Sequence, residues 1–130
     1  MERRNKYNAK RTEHNGRTYA SKAEAEYAAT LDALQAAGEV VCWIPQPKFP
    51  LVPGYTYTPD FLVIRRDKLV SNEYTILTIT VEAVEVKGRD TTLFRRHVEM
   101  WRQHGRIPLR IVRRGKPDEI IEPRQQRESL

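Results

Sequence analysis

The stretch 73–87 constrains this chain more than any other. It is the longest β pattern in the sequence, dense in Ile, Thr and Val, and such a run belongs in a sheet. Alternation with period two sets Leu77, Ile79, Val81, Ala83, Glu85 and Lys87 on one side and Glu82 on the other. The run closes as Val84-Glu85-Val86-Lys87-Gly88, so a carboxylate and an ammonium finish on the apolar side. A second acid leads another apolar run, in Thr58-Pro59-Asp60-Phe61. Carboxylates at the ends of hydrophobic strands are costly to desolvate unless something compensates, and a divalent metal ion is the expected compensation.

The remaining segments supply partners for that strand. Asn15-Gly16, between Thr12-Glu13-His14 and Arg17-Thr18-Tyr19, reads as a hairpin with a primed turn. Ser21-Lys22-Ala23-Glu24 fits a capping box and Gly38 a C-terminal stop, which predicts a helix over 21–37. Its apolar stripe is Tyr27, Ala28, Leu31 and Leu34. At 3.6 residues per turn Glu24 lies roughly 50° from the centre of that stripe and Glu26 roughly 110° away. Glu24 therefore leans towards the core and Glu26 towards solvent.

Residues 40–44 read as a short strand, and 46–54, with three prolines, as an edge strand or extended loop. Within it Gln46 is either a polar group projecting near the acids or a turn residue. Residues 57–64 form a strand with Asp60, Leu62 and Ile64 on one face, and 65–72 a polar connection. A second helix over 91–104 carries Phe94, Val98 and Trp101 at i, i+4 and i+7 and ends at Gly105; 107–112 is a last strand. Helix, three strands, helix, strand predicts one α/β domain, a mixed central β-sheet flanked by helices. Residues 1–20 make a basic N-terminal arm and hairpin, 21–116 the core, and 117–130 a polar C-terminal tail.

A chain of 130 residues, 39% hydrophobic and 31% charged, supports one modest core. Its net charge of +6 favours a polyanionic partner. Cys42 is the only cysteine, which excludes a disulfide framework and a cysteine-based zinc site within one chain. No apolar run is long enough to span a membrane, and the basic start lacks the apolar stretch of a signal peptide, so a cytoplasmic protein is expected. Residues 1–11 hold Arg3, Arg4, Lys6, Lys10 and Arg11 against Glu2 alone, and 87–116 hold ten Lys or Arg against Asp90 and Glu99. The second block adjoins the acids, where a phosphate backbone would have to lie. Arg95 and Arg102 share the helix face opposite the apolar stripe and are the leading DNA contacts, with Arg89, Arg96, Lys10 and Arg11 beside them. Trp43 and Trp101 read as core.

Two acids converging from neighbouring strand ends suit Mg²⁺, a hard ion that takes oxygen ligands and keeps several waters. Asp60 and Glu85 are the candidate ligands, the Val86 carbonyl adds an oxygen, and Glu24 supplies a third carboxylate directly or through water. Lys87, beside them, either orients the attacking water, stabilises charge on a phosphate, or acts as a base. Phosphodiester hydrolysis needs such a set and no histidine base. His14, His97 and His104 are scattered, and no phosphate-binding glycine loop is present. Taken singly, Asp60 also reads as a strand-entry acid, Glu85 and Lys87 as a cross-strand ion pair, and Glu24 as a capping residue.

Pro59-Asp60 followed by Glu85-Val86-Lys87, after a helix bearing Glu24, resembles the PD-(D/E)XK nuclease superfamily with its restriction-endonuclease-like α-β-β-β-α-β core. Ser21-Lys22-Ala23-Glu24-Ala25, Tyr57-Thr58-Pro59-Asp60-Phe61-Leu62, Val84-Glu85-Val86-Lys87-Gly88, Lys6-Tyr7-Asn8-Ala9-Lys10 and Gln46-Pro47 are similar to the phage endonuclease I group of junction-resolving enzymes and to small phage-encoded nucleases. The stretch between the Asp60 and Glu85 motifs is longer here. The resemblance implies Mg²⁺- or Mn²⁺-dependent cleavage of branched or double-stranded DNA. It implies Asp60 and Glu85 as ligands, Glu24 as the helix acid, Lys87 as the catalytic lysine, and a homodimer placing two sites. The rival expectation is a catalytically inactive nuclease-fold module that binds DNA or RNA.

Overall fold

In the computed structural model, which describes residues 10–124, the chain opens with β1 (Thr12–His14) and β2 (Arg17–Tyr19). Their turn places Asn15 and Gly16 at φ 50° and 78°, the left-handed pair that a primed hairpin requires. The basic residues Arg3, Arg4 and Lys6 lie outside the described residues, as do residues 125–130 of the expected tail.

The first helix, α1 (Lys22–Ala36), starts where its cap predicts: the Ser21 hydroxyl accepts from the Glu24 amide at 3.1 Å. Small residues dominate its inner face, with Ala25, Ala28 and Leu31 buried, so the helix settles close on the sheet. His14 reaches Asp32 at 2.7 Å and pins the hairpin to the helix.

Strand β3 (Val40–Pro45) follows, then β4 (Phe49–Val52) and β5 (Tyr55–Tyr57), which pair with each other as a separate two-stranded hairpin. Next come β6 (Phe61–Val70), β7 (Thr75–Val86), α2 (Thr92–His104), β8 (Leu109–Val112) and β9 (Glu119–Ile121). The main sheet has the order β3-β6-β7-β8-β9, antiparallel except for the parallel β7–β8 pair. Helix α2 is the crossover that a parallel pair requires.

Successive residues of β7 face opposite layers. Val84 packs with Phe61, Val63 and Leu31 against α1, while Ala83 packs with Trp101, Phe94 and Leu109 against α2. The domain is thus a mixed sheet with one helix on each face. Phe61 centres the first layer, with the rings of Tyr27 and Trp43 each 5.5 Å away. Trp101 centres the second, its indole N–H donating to the Ile107 carbonyl at 2.8 Å. A Cβ on Gly105 would stand 2.6 Å from the Trp101 carbonyl, so only glycine lets the chain leave α2 there.

Three expectations are corrected. The strand read over 57–64 is two strands in different sheets, because Pro59 lacks an N–H and pairing restarts only at Phe61, opposite Pro45 and Val84. Asp60 therefore precedes β6, and Phe61 and Val63 fill the deep core. The polar connection read over 65–72 is strand to Val70, with the reversal at Ser71–Tyr74 held by the Ser71 hydroxyl. The tail read from 117 first adds β9 to the sheet edge, burying Ile121.

Candidate active site

Register brings the two acids together. Phe61 pairs with Val84, so the next positions outward set Asp60 opposite Glu85 and Pro59 opposite Val86. Pairing stops there because proline offers no amide hydrogen. The Asp60 side chain fills the gap: its carboxylate accepts from the Val86 N–H at 2.7 Å. In return the Asp60 N–H donates to the Glu85 carboxylate at 3.1 Å. Each acid is held by the backbone of the facing strand. Val86, expected to offer its carbonyl, is also the amide donor that orients Asp60.

The electrostatics are those of a charge cluster drawn out of water. Burial pushes Asp60 well above the usual carboxylate range, and the charges of Glu85 and Glu24 push it further. Burial also raises Glu85, to about 7, against the opposing charge of Lys87, the nearby Tyr57 hydroxyl and the Asp60 amide. Glu24 is raised as well, chiefly by burial, with the Ser21 hydroxyl, the Ala20 amide and Lys87 working against the shift. Glu24 is half-buried and Glu26 exposed, as the helix count predicts.

Lys87 is half-buried, its ammonium 4.8 Å from the centre of the Phe94 ring. Its charge acts on Glu24, Glu85 and His97 at once. A cleft of about 280 Å³ opens here, lined among others by Tyr57, Thr58, Glu85, Lys87, Phe94 and His97.

Tyr57 and His97 are the residues that sequence reasoning missed. The His97 ring stacks on Tyr57 at 4.6 Å, and its Nδ1 shares a 2.7 Å hydrogen bond with the Tyr55 hydroxyl. Burial lowers the His97 pKa, helped by Lys87 and Arg96. The available signal was its place three residues after Phe94 and four before Trp101, on the inward face of α2. The Tyr57 hydroxyl lies beside the Glu85 carboxylate but short of hydrogen-bonding geometry. Among the described residues it is the one buried side-chain oxygen or nitrogen without a partner.

Among the described residues, no three His, Cys, Asp or Glu side chains close into a ready-made metal cage. What the fold assembles is a pair, Asp60 and Glu85, with Glu24 close enough for its charge to act on both. These are hard oxygen donors with no thiolate among them, beside an unsatisfied hydroxyl. That set fits Mg²⁺, which is commonly held by one or two carboxylates and keeps its waters.

Of the candidate DNA contacts, Arg89, Arg95, Arg96 and Arg102 are exposed on α2 and the loop before it. Arg96 lies over the Tyr55 ring at 5.4 Å, and Arg102 stands 3.7 Å from Glu99. Lys10 and Arg11 are exposed before β1 and do not line the cleft. Gln46 is a turn residue, at φ 52°, with its side chain accepting from Arg17 at 3.3 Å. Trp101 is fully buried and Trp43 partly so, both in the core as read.

The class of this domain is a mixed sheet with a helix on each face, with the Asp60–Glu85 pair at the ends of its central strands and Glu85 lining the cleft beside it. The chain belongs to the family DUF1064, described as a protein of unknown function, whose model matches residues 4–114. No curated protein and no solved structure matches it. No helix among the described residues is long and apolar enough to cross a membrane.

Proposed function

We propose that this protein is a metal-dependent endodeoxyribonuclease of the PD-(D/E)XK type, acting on branched or double-stranded DNA in a junction-resolving or nicking mode. The observation that carries the reading is the exchange of backbone bonds between Asp60 and the Glu85-Val86 strand end, with Lys87 next on the same side. Asp60, Glu85 and the Val86 carbonyl are the groups to hold Mg²⁺ or Mn²⁺, with Glu24 joining directly or through water. When bound, the ion supplies an activated water and neutralises charge on the phosphate.

The chain's own residues do the rest. Lys87 sets a cation at the cleft wall, where it stabilises negative charge on a phosphate oxygen. The Tyr57 hydroxyl offers a hydrogen bond that nothing in the protein takes up. The His97–Tyr57 stack walls the cleft. Arg89, Arg95, Arg96 and Arg102 carry positive charge outwards from the site along α2, the path of a DNA backbone, with Lys10 and Arg11 as further phosphate contacts.

The reciprocal amide bonds alone favour a second reading, a nuclease-fold module that binds DNA or RNA without cutting, since they would join the strand ends without any ion. Supercoiled plasmid and a four-way junction, each incubated with Mg²⁺, with Mn²⁺ and with EDTA, separate the two. Cutting that needs the metal supports the nuclease. Binding to both DNAs with no product under any condition supports the module.

A further inference from the structure

Beyond the sheet, β6 and β7 continue as a ribbon with no third strand among the described residues. β3 pairs with β6 only as far as Arg65, and β8 with β7 only from Ala83. Among the described residues, 66–70 pair only with 75–79, and 75–82 find their strand partners only in β6. Register puts Ile64, Val81, Ile79, Leu77 and Val70 on one face of this ribbon, with Leu69 and Ile76 on the other. Leu77 is 63% exposed and Ile79 64%, far more than apolar strand residues need to be in a sheet of this size.

The two edges of the ribbon differ. The free β6 edge carries Arg66, Asp67 and Lys68, the charged guard that isolated sheet edges normally show. The β7 edge reads Thr75-Ile76-Leu77-Thr78-Ile79-Thr80-Val81, with no charge and no proline. It is an unguarded template for another strand.

We propose that this β7 edge pairs antiparallel with the same edge of a second copy, about a two-fold axis at Thr78. A two-fold contact requires a strip that complements itself. This one does: Leu77 meets Ile79 of the other copy, Ile76 meets Thr80, Thr75 meets Val81, and Thr78 meets Thr78. No cation faces a cation, whereas self-pairing of the β6 edge would oppose arginine and lysine clusters. The sequences of 1–9, with Arg3, Arg4 and Lys6, and of 125–130, with Arg127 and Glu128, lack the uncharged apolar alternation that matches this edge. A nucleic acid would seek the cations of β6, not an uncharged edge. The result is a four-stranded ribbon, β6-β7-β7-β6, across two chains. Glu85 lies seven residues from Thr78, so the two acid clusters stand roughly 45–50 Å apart along the strands.

The inference does not rest on the nuclease reading, and its test reads mass, not cleavage. Sedimentation at tens of micromolar is compared for wild type, L77K/I79K, L77E/I79E, an equimolar mixture of the two variants, and R66E/K68E on the opposite edge. Wild type and R66E/K68E sediment at twice the chain mass, each β7 variant alone at the single-chain mass with unchanged circular dichroism, and the mixture returns to twice the mass. Reassociation follows because position 77 of one copy faces 79 of the other. Monomeric wild type, dimeric β7 variants, a mixture that stays monomeric, or loss of the dimer in R66E/K68E each overturns the proposal.

Discussion

The Asp60 amide donates to the Glu85 carboxylate at 3.1 Å, while the Asp60 carboxylate accepts from the residue after Glu85 at 2.7 Å. Two strand ends that lack a ladder bond because of Pro59 are joined by the acids themselves. Holding two desolvated carboxylates side by side is unfavourable unless a cation or a proton intervenes, and that competition yields the first predictions.

Metal-free protein loses stability as pH rises. Burial lifts Glu85 to about 7, above its unfolded value, so the folded chain binds that proton more tightly. Its contribution is complete below the unfolded pKa and is lost as pH climbs through about 7. Asp60 is displaced in the same direction. Glu85→Gln removes the Glu85 share and keeps an acceptor for the Asp60 amide. Chemical denaturation in EDTA finds the variant more stable than wild type at about pH 8, by at most about 3 kcal/mol, with the gap narrowing towards pH 4. Parallel pH profiles for the two proteins would refute the assignment.

Divalent ions reverse that loss. A ligand that binds only the folded state stabilises it by about 2.7 kcal/mol at a hundred times its Kd. Thermal melts at neutral pH therefore shift upwards with Mg²⁺ or Mn²⁺ in wild type and not in Asp60→Asn. Equal shifts in both would place the ion elsewhere.

Glu82 makes a different prediction, because it faces the opposite layer from Glu85. Its buried carboxylate accepts from Arg65 at 2.6 Å and from Arg110 at 2.7 Å. Glu82→Ala strands two partly buried guanidinium groups and costs about 3–5 kcal/mol in urea unfolding, an upper range because Arg65 keeps Tyr27 and Arg110 keeps Asp118. Activity per folded molecule stays at the wild-type level. A stable but inactive variant would assign Glu82 to the site instead.

What was legible in the sequence was mostly local. Both helices begin and end within a residue of their caps, because Ser21, Thr91, Gly38 and Gly105 act on the backbone beside them. Glu24 inward, Glu26 outward, and Glu85 with Lys87 opposed to Glu82 follow from period alone. What escaped depends on partners distant in sequence. Tyr57 was grouped with Asp60 until the proline break and the β4 pairing are seen. The charged residues after Ile64 look like a loop, and only the uncharged β7 strand opposite makes them a ribbon. β9 is three residues long, too short to be read without β8 beside it. His97 carries no motif and joins the cleft only because α2 lies across Tyr57.

The central claim is that Asp60, Glu85 and Lys87 carry out metal-dependent cleavage. Its most direct test is the rate of plasmid or junction cutting in saturating Mg²⁺ by wild type, Asp60→Asn, Glu85→Gln and Lys87→Ala, each verified as folded. Losses of about a hundredfold or more are expected in all three variants. Rates within a few-fold of wild type in any folded variant of the three would contradict the claim.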